Sequence, residues 1–356
     1  MYVGRPRTDE LPMDELSRFC RQQVAQGISL KSSLIEYELR RRGYPYSRAG
    51  NRLVLCEIGG RPATFFLMNG PSSSVGVRTI CDNKWLSRQL FAANGLSVAQ
   101  SGRFARNAAN DALEFARDKI GYPVVIKPNS ASRGRGVSTN VSSDAAFQEA
   151  WKNALAASRA PLILVERHAR GNDYRFFVAG GKVVSVTWRK RANVTGDGRS
   201  TVLQLIQNKN VERQANVYVS NYPIPTESAQ LETLVGNGLN LDYVPENDEY
   251  VELRGVSNLS AGGDSIDVTG KTHPSFQEAA ITAIRSCPGM LYGGVDIIAE
   301  DITAPATPTN HVVGEIEFSP APLSTFPLKG PSRDMAAAIL DCYGGLPTNH
   351  PILGGS

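Results

Sequence analysis

The chain has 356 residues, 41% of them hydrophobic, enough to bury one large core or two to three smaller ones, which excludes a disordered protein. Its net charge is only +4, and the basic residues are scattered rather than interleaved with aromatics in one stripe, which argues against nucleic acid as the main partner. The five cysteines form no close pair, pointing to reduced thiols in a cytoplasmic protein, and neither a signal-peptide core nor a membrane-length apolar run is present.

From the N-terminus, apolar spacing predicts helix from about Met13 to Arg42, broken near Gly27, with Leu30, Leu34, Ile35 and Leu39 on its buried face. The run Arg40 to Arg42 reads as the solvated end of that helix, where cations suit the dipole. Strands at Arg52 to Ile58 and Pro62 to Leu67 flank a Gly59-Gly60 turn, NGPSSS at 69–74 reads as a linker, and helix resumes over Asn83 to Asn94. Strands and helices then alternate: VVIK at 124–127, a helix capped by Ser143 with Phe147, Ala150, Trp151 and Ala154 inward, PLILVE at 161–166, and a hairpin around Gly180-Gly181. A polar stretch from Asn208 to Asp248 reads as a separator before a final unit with a helix near 275–286. The fold class is therefore α+β with hairpins.

Several segments carry chemistry. Lys127 ends an apolar strand and leads into the loop SASRGRGV, where Gly134 and Gly136 let backbone amides approach phosphate oxygens; a plain surface hairpin is the alternative. Glu166 ends a strand that precedes Asp173 and Arg175, an arrangement that can serve a nucleotide in a cleft between lobes or be a surface ion pair. GGVDII at 293–298 and HVVGEIEFSP at 311–320 place Asp296, Glu315 and Glu317 on strand-like apolar runs. Glu315 and Glu317, two apart, share one face of a strand. Turned inward, these carboxylates need a cation, and hard oxygen donors suit Mg²⁺ or Mn²⁺; turned outward, they are an ordinary polar face.

Lys84 in DNKWLSRQL, Lys127 in YPVVIKP, the glycine-rich loop, VERHARGNDYRFFV, Arg189 in WRKRANVTGDGRST, Arg254 in ELRGVSNLSAGGDS, GVDII and EIEFSPAP occur in one order. In that order they resemble the ATP-grasp superfamily, and over roughly Ser74 to Gly345 they are similar to the ligase portions of cyanophycin synthetase and of bifunctional glutathione synthetase. The resemblance implies two α+β lobes clasping ATP: an accessory domain over 1–75, lobes over 76–165 and 166–345, and a tail over 346–356. It implies that Lys84 and Lys127 contact ATP phosphates and that the loop from Ser130 to Val137, with Ser132, Gly134, Gly136 and Val137, closes over them. The strand from Val165 to His168, with Glu166, Arg167 and His168, would offer backbone contacts to the adenine, with Asp173 near the ribose and Arg175 among the nucleotide-binding residues. Arg189 and Arg254 would stabilise the transferred phosphoryl group or the acyl intermediate, Ser260, Gly262 and Gly263 would lie beside the electrophilic substrate, and Asp296, Glu315 and Glu317 would hold magnesium.

The implied reaction is an ATP-dependent ligation of a small carboxylate to an amine, each an amino acid or peptide, through an acyl phosphate. ATP-dependent phosphoryl transfer to a small molecule, and an ATP-binding protein without catalysis, remain open, as does a homodimer. Glu317 stands where the family usually has Asn in E-x-N, and Lys190 and Arg191 stand where relatives tend to have a small apolar residue and Pro. The chain carries neither the second ligase domain of the one relative nor the amino-acid-activating domain of the other, so neither whole activity transfers.

Overall fold

In a computed structural model, residues 13–129, 136–157 and 161–344 are described. The N-terminal unit begins with helices α1 (Met13–Ala25) and α2 (Leu30–Arg42). Gly27, at φ +79°, makes the break between them in the left-handed region that glycine adopts without steric cost. Strands β1 (Tyr46–Ala49), β2 (Leu53–Ile58) and β3 (Arg61–Phe66) form an antiparallel sheet with the expected Gly59-Gly60 turn. β1 escapes a sequence reading because all four of its residues are exposed and show no alternation. The arginine run at 40–42 is not simply solvated: Arg41 and Arg42 both bond the buried Glu38, and Arg42 reaches Asp341 near the C-terminus at 2.7 Å.

The stretch expected as a linker ends in a helix cap. Ser74 Oγ accepts the Val77 N–H at 3.2 Å and opens α3 (Val75–Asp82), a helix too short to show a period; Asn83 then caps α4 (Lys84–Ala93) through the Leu86 N–H at 3.1 Å. Next come β4 (Ser101–Ala105), α5 (Ala109–Glu114) continuing into one wide turn, β5 (Val124–Pro128), β6 (Ser138–Val141), α6 (Asp144–Ala157) and β7 (Leu162–Arg167). The four strands form an antiparallel sheet, the first of the two larger sheets, in the order β4-β7-β5-β6. Phe147, Ala150, Trp151 and Ala154 of α6 pack on it, as their spacing predicts.

The second sheet holds β8 (Asn172–Ala179) and β9 (Lys182–Lys190). Between β9 and the next strand of that sheet, β10 (Asn193–Thr195), α7 (Val202–Ala215), α8 (Glu232–Gly236) and β11 (Tyr250–Glu252) build a small unit. This corrects the reading of 208–248 as a separator: Ile206, Ile224, Leu231, Leu234 and Val251 close a core of their own there. The chain returns through β12 (Asp264–Asp267), α9 (Pro274–Arg285), β13 (Tyr292–Ala299) and β14 (His311–Glu317), giving an antiparallel sheet ordered β12-β9-β8-β13-β14. Finally α10 (Met335–Gly344) packs against the N-terminal unit, joining Ile339, Leu340 and Tyr343 to Leu34, Ile35 and Phe65.

This five-stranded sheet has two unlike faces. Tyr174, Phe176, Val186, Val295, Ile297 and Ile316 pack on Phe276 and Ala280 of α9, and Val77 and Phe91 from α3 and α4 join the same core. The side chains that alternate with them carry the charges. Glu315 pairs with Asp296 and Val313 with Ile297, so Gly314 is the extra residue of a β-bulge. That bulge lets Val313 and Ile316, three apart, both reach the apolar core while Glu315 and Glu317 face the other way.

Candidate active site

On the polar face, register does the assembling. Asp296 is flanked by Glu315 of β14 on one side and Arg175 of β8 on the other, and Asp173 of β8 lies opposite Arg189 of β9. Arg175 donates to both oxygens of Asp296 and to Glu317. Arg189 bridges Asp173 at 2.6 Å and Asp296 at 2.8 Å. Beside this cluster the first sheet and α4 contribute a second set: Lys84 lies 2.7 Å from Glu315, and Lys127 of β5 lies 3.6 Å from Glu315 and 3.0 Å from Glu166. The Lys127–Glu315 pair joins strands of different sheets, so the two sheets meet here. With Arg88 against Glu166, five acids (Asp173, Asp296, Glu315, Glu317, Glu166) meet five bases (Lys84, Arg88, Lys127, Arg175, Arg189).

The electrostatics follow from this pairing. Burial alone would raise the Glu315 carboxyl, but Lys84 and Lys127 outweigh it and hold the pKa well below the usual carboxylate range. Asp296 is lowered in the same way, with burial opposed by Arg175 and Arg189. For Lys127 burial wins, aided by repulsion from Arg88, and its pKa falls well below the usual lysine value. Three carboxylates on one face are donors of the kind a hard divalent cation takes. Among the described residues no three acidic, histidine or cysteine side chains converge on one point, because each of these carboxylates is turned to a basic group.

Of the other residues singled out in the sequence, Ser132 and Gly134 lie outside the described residues. Gly136, at φ +67°, stands where a Cβ would lie 2.6 Å from the Ala157 side chain, and Val137 beside it is half-buried. Glu166 is 3% exposed, with one carboxylate oxygen against Arg88 and the other 3.0 Å from Lys127. Arg167 is exposed and bonds Gln100 at 3.2 Å; His168 Nδ1 accepts the Asn140 N–H at 3.4 Å.

The loop holding Ser260, Gly262 and Gly263 is tied to the acidic cluster by Ser257, whose hydroxyl donates to Asp173. Gly263 is a close-approach glycine: a Cβ there would lie 2.9 Å from the carbonyl oxygens of Lys190 and Ser257. Arg254 does not reach the five clustered acids; its partner is Glu232 at 3.4 Å, and with Ser260, Pro223, Ile224, Thr226 and Glu227 it lines a cavity of about 400 Å³. Sequence reasoning missed Arg88 and Ser257, although both lie inside quoted segments, and it missed Lys209 and Arg213 of α7, which hold the same loop from behind through Asp264. For Arg88 a signal existed, since four residues after Lys84 on a helix is the same face.

The family model for the carbamoyl-phosphate synthase L chain, ATP binding domain, matches residues 83–173. A cyanophycin synthetase from Geminocystis herdmanii is 32% identical over 353 residues, covering 98% of this chain and 40% of that protein. A glutathione biosynthesis bifunctional protein from Clostridium perfringens is 33% identical over 272 residues, covering 74% of this chain and 34% of that protein. Among solved structures, a bifunctional glutathione synthetase from Pasteurella multocida superposes with a TM-score of 0.66 at 26% identity, over 88% of this chain and 43% of that one. The chain thus spans two fifths or less of the length of these two curated relatives.

Proposed function

The chain belongs to the ATP-grasp superfamily, and from that premise we propose that it is an ATP-dependent ligase that joins the carboxylate of an amino acid or small peptide to an amine, releasing ADP and phosphate. One observation carries the reading: the two sheets and α4 bring five acids and five bases together where the sheets meet, on the polar face of a sheet whose other face is apolar core. A triphosphate is a polyanion that travels with a divalent cation. It suits a site in which lysines and acids hold only one another and can exchange partners.

In this reading Lys84 and Lys127 leave Glu315 for phosphate oxygens, and Glu315 and Asp296, with Glu317 beside them, turn to Mg²⁺ or Mn²⁺. A bound divalent cation would neutralise charge on the transferring phosphoryl group. Arg189, already against Asp296, is placed to stabilise the same charge, and Asp173, which it shares with Ser257, holds the substrate loop in register with it. A carboxylate is a poor electrophile, and ATP converts it into an acyl phosphate whose leaving group is phosphate. The amine then attacks. This chain's contribution is positioning and charge compensation, with the cavity of Arg254 and Ser260 as the substrate side.

The lobe limits are proposed as 76–165 and 166–345, with the accessory unit before them. Helices α3 and α4 belong by sequence to the first lobe and by packing to the core of the second sheet. The cytoplasm is the proposed location, since Cys20, Cys56, Cys81, Cys287 and Cys342 are all free thiols. No helix among the described residues is long and apolar enough to cross a membrane.

The test is a coupled ADP-release screen over pairs of amino acids and amines. Amine-dependent release of ADP together with inorganic phosphate is the expected result. A phosphorylated product without free phosphate would replace ligation with phosphoryl transfer, and no nucleotide turnover with any pair would remove the enzymatic reading.

A further inference from the structure

Lys84 and Lys127 account for two of the three cations at the Glu315 end of the cluster. The third, Arg88, has no role in the reading above, yet it is the most enclosed of them at 4% exposed. A guanidinium so far from water persists only with full compensation. Burial lowers its pKa to about 10, so it stays charged at neutral pH. Its Nη1 lies against Oε1 of Glu166 as an ion pair, and neither of these buried atoms has a hydrogen-bond partner among the described residues. The second Glu166 oxygen belongs to Lys127, at 3.0 Å. On its other side Arg88 Nε donates to the carbonyl of Gly314 at 3.4 Å, the extra residue of the bulge that immediately precedes Glu315. One side chain therefore touches the carboxylate that grips Lys127 and the backbone that presents Glu315.

We propose that Arg88 is a positioning residue for nucleotide binding: it occupies one oxygen of Glu166, so that Lys127 is held at the edge of the cleft between Glu166 and Glu315 instead of being drawn back onto Glu166 alone. The proposal rests on the reading that Lys127 contacts phosphate. Without Arg88, the whole charge of a buried carboxylate acts on the Lys127 ammonium, and the repulsion that Arg88 exerts on it disappears. Both changes pull Lys127 inward, and a phosphate must then compete with Glu166 for it. Arg88 itself never touches nucleotide.

The measurement is ADP affinity by calorimetry in magnesium buffer, on the full chain, for wild type, Arg88→Met, Lys127→Met and the double variant, with melting temperatures recorded without nucleotide. Arg88→Met weakens ADP about tenfold or more, while in the Lys127→Met background the same change has an effect of less than about twofold. Additive losses in the two backgrounds would overturn the proposal, because a general loss of positive charge or of packing does not need Lys127. Arg88→Lys, which keeps the charge at Glu166, restores affinity to within about threefold of wild type. Glu166→Gln changes affinity in the opposite direction: releasing Lys127 tightens ADP by about threefold or more, and a weakened complex there sinks the proposal even if Arg88→Met does not fold. If wild type binds no ADP, or Lys127→Met binds it normally, the nucleotide reading itself falls, and this inference with it; normal behaviour of both with an additive Arg88 effect removes only the role of Arg88.

Discussion

Two buried ion networks flank the Ser257 to Gly263 loop, and they are built to opposite ends. Behind the loop, Asp264 is 3% exposed and meets Lys209 at 2.6 Å and Arg213 at 3.1 Å. The surplus cation is absorbed by backbone: Lys209 also donates to the Asn193 carbonyl at 2.8 Å, and Arg213 to those of Gly263 at 3.0 Å and Tyr222 at 2.8 Å. In front of the loop, acids and bases are matched one for one, and among the described residues neither Lys84 nor Lys127 donates to a backbone carbonyl. A network anchored in carbonyls is finished architecture, since no ligand can replace its partners without unfolding the chain. In front, Arg88 is tied to the Gly314 carbonyl at 3.4 Å, but among the described residues Lys84 and Lys127 hold only carboxylate side chains and can trade those partners for phosphate.

The sharpest way to break this contrast is to cut each network at its central acid or base. Lys127→Ala and Glu315→Ala should lower turnover at least about a thousandfold, equivalent to about 4 kcal/mol of transition-state stabilisation. Their melting temperatures should stay within a few degrees of wild type, since Glu315 is 36% exposed and, without Lys127, buried Glu166 keeps Arg88 against it. Steady-state rates and thermal melts on the same preparations decide it; turnover near wild type in either variant removes these residues from the site. Asp264→Ala is the mirror case. It leaves Lys209 and Arg213 buried without their acid and should cost about 3–5 kcal/mol, read as a lower urea midpoint. If it instead melts like wild type, the rear network is not the structural one.

The sequence made the front network far more legible than the rear one, for a physical reason. Charges on apolar strands are conspicuous: Asp296 stands out on its own run, and Glu315 and Glu317 can be placed on one face from strand period alone. What that period does not reveal is who sits opposite, because register comes from tertiary pairing: Arg175 beside Asp296 and the bulge at Gly314 are invisible before the strands are aligned. The rear network hides in a segment whose composition is polar. Its core residues, Ile224, Leu231, Leu234 and Val251, fall at no regular spacing because they lie on turns, a short helix and a three-residue strand. Glu36 shows the same limit on α2: it is buried and compensated by Arg48 of β1, which only the folded unit brings to it.

Between the networks, Gly263 offers a finer cut. A methyl group at this position would lie 2.9 Å from two carbonyl oxygens, so Gly263→Ala must displace the loop from Lys190 or Ser257. The expected cost is about 1–3 kcal/mol of stability. The KM for the carboxylate substrate should rise more than that for ATP, because the loop borders the Arg254 cavity rather than the lysines. Equal changes in both constants would mean that the loop serves the whole site.

The smallest expected effect belongs to Glu317. It is 43% exposed, its partner is Arg175, and Arg175 keeps its bonds to Asp296 without it. Glu317→Asn preserves a side-chain oxygen for a cation and removes one negative charge from a cluster that is otherwise balanced. Stability should change by about 1 kcal/mol or less. The turnover number should stay within about tenfold of wild type, while the magnesium concentration for half-maximal rate rises, because a carboxylate attracts a divalent ion more strongly than an amide does. A magnesium titration of both proteins distinguishes the roles. A loss as deep as that of Glu315→Ala would make Glu317 a ligand of equal rank, whereas an unchanged magnesium requirement would leave it as the anchor of Arg175 alone.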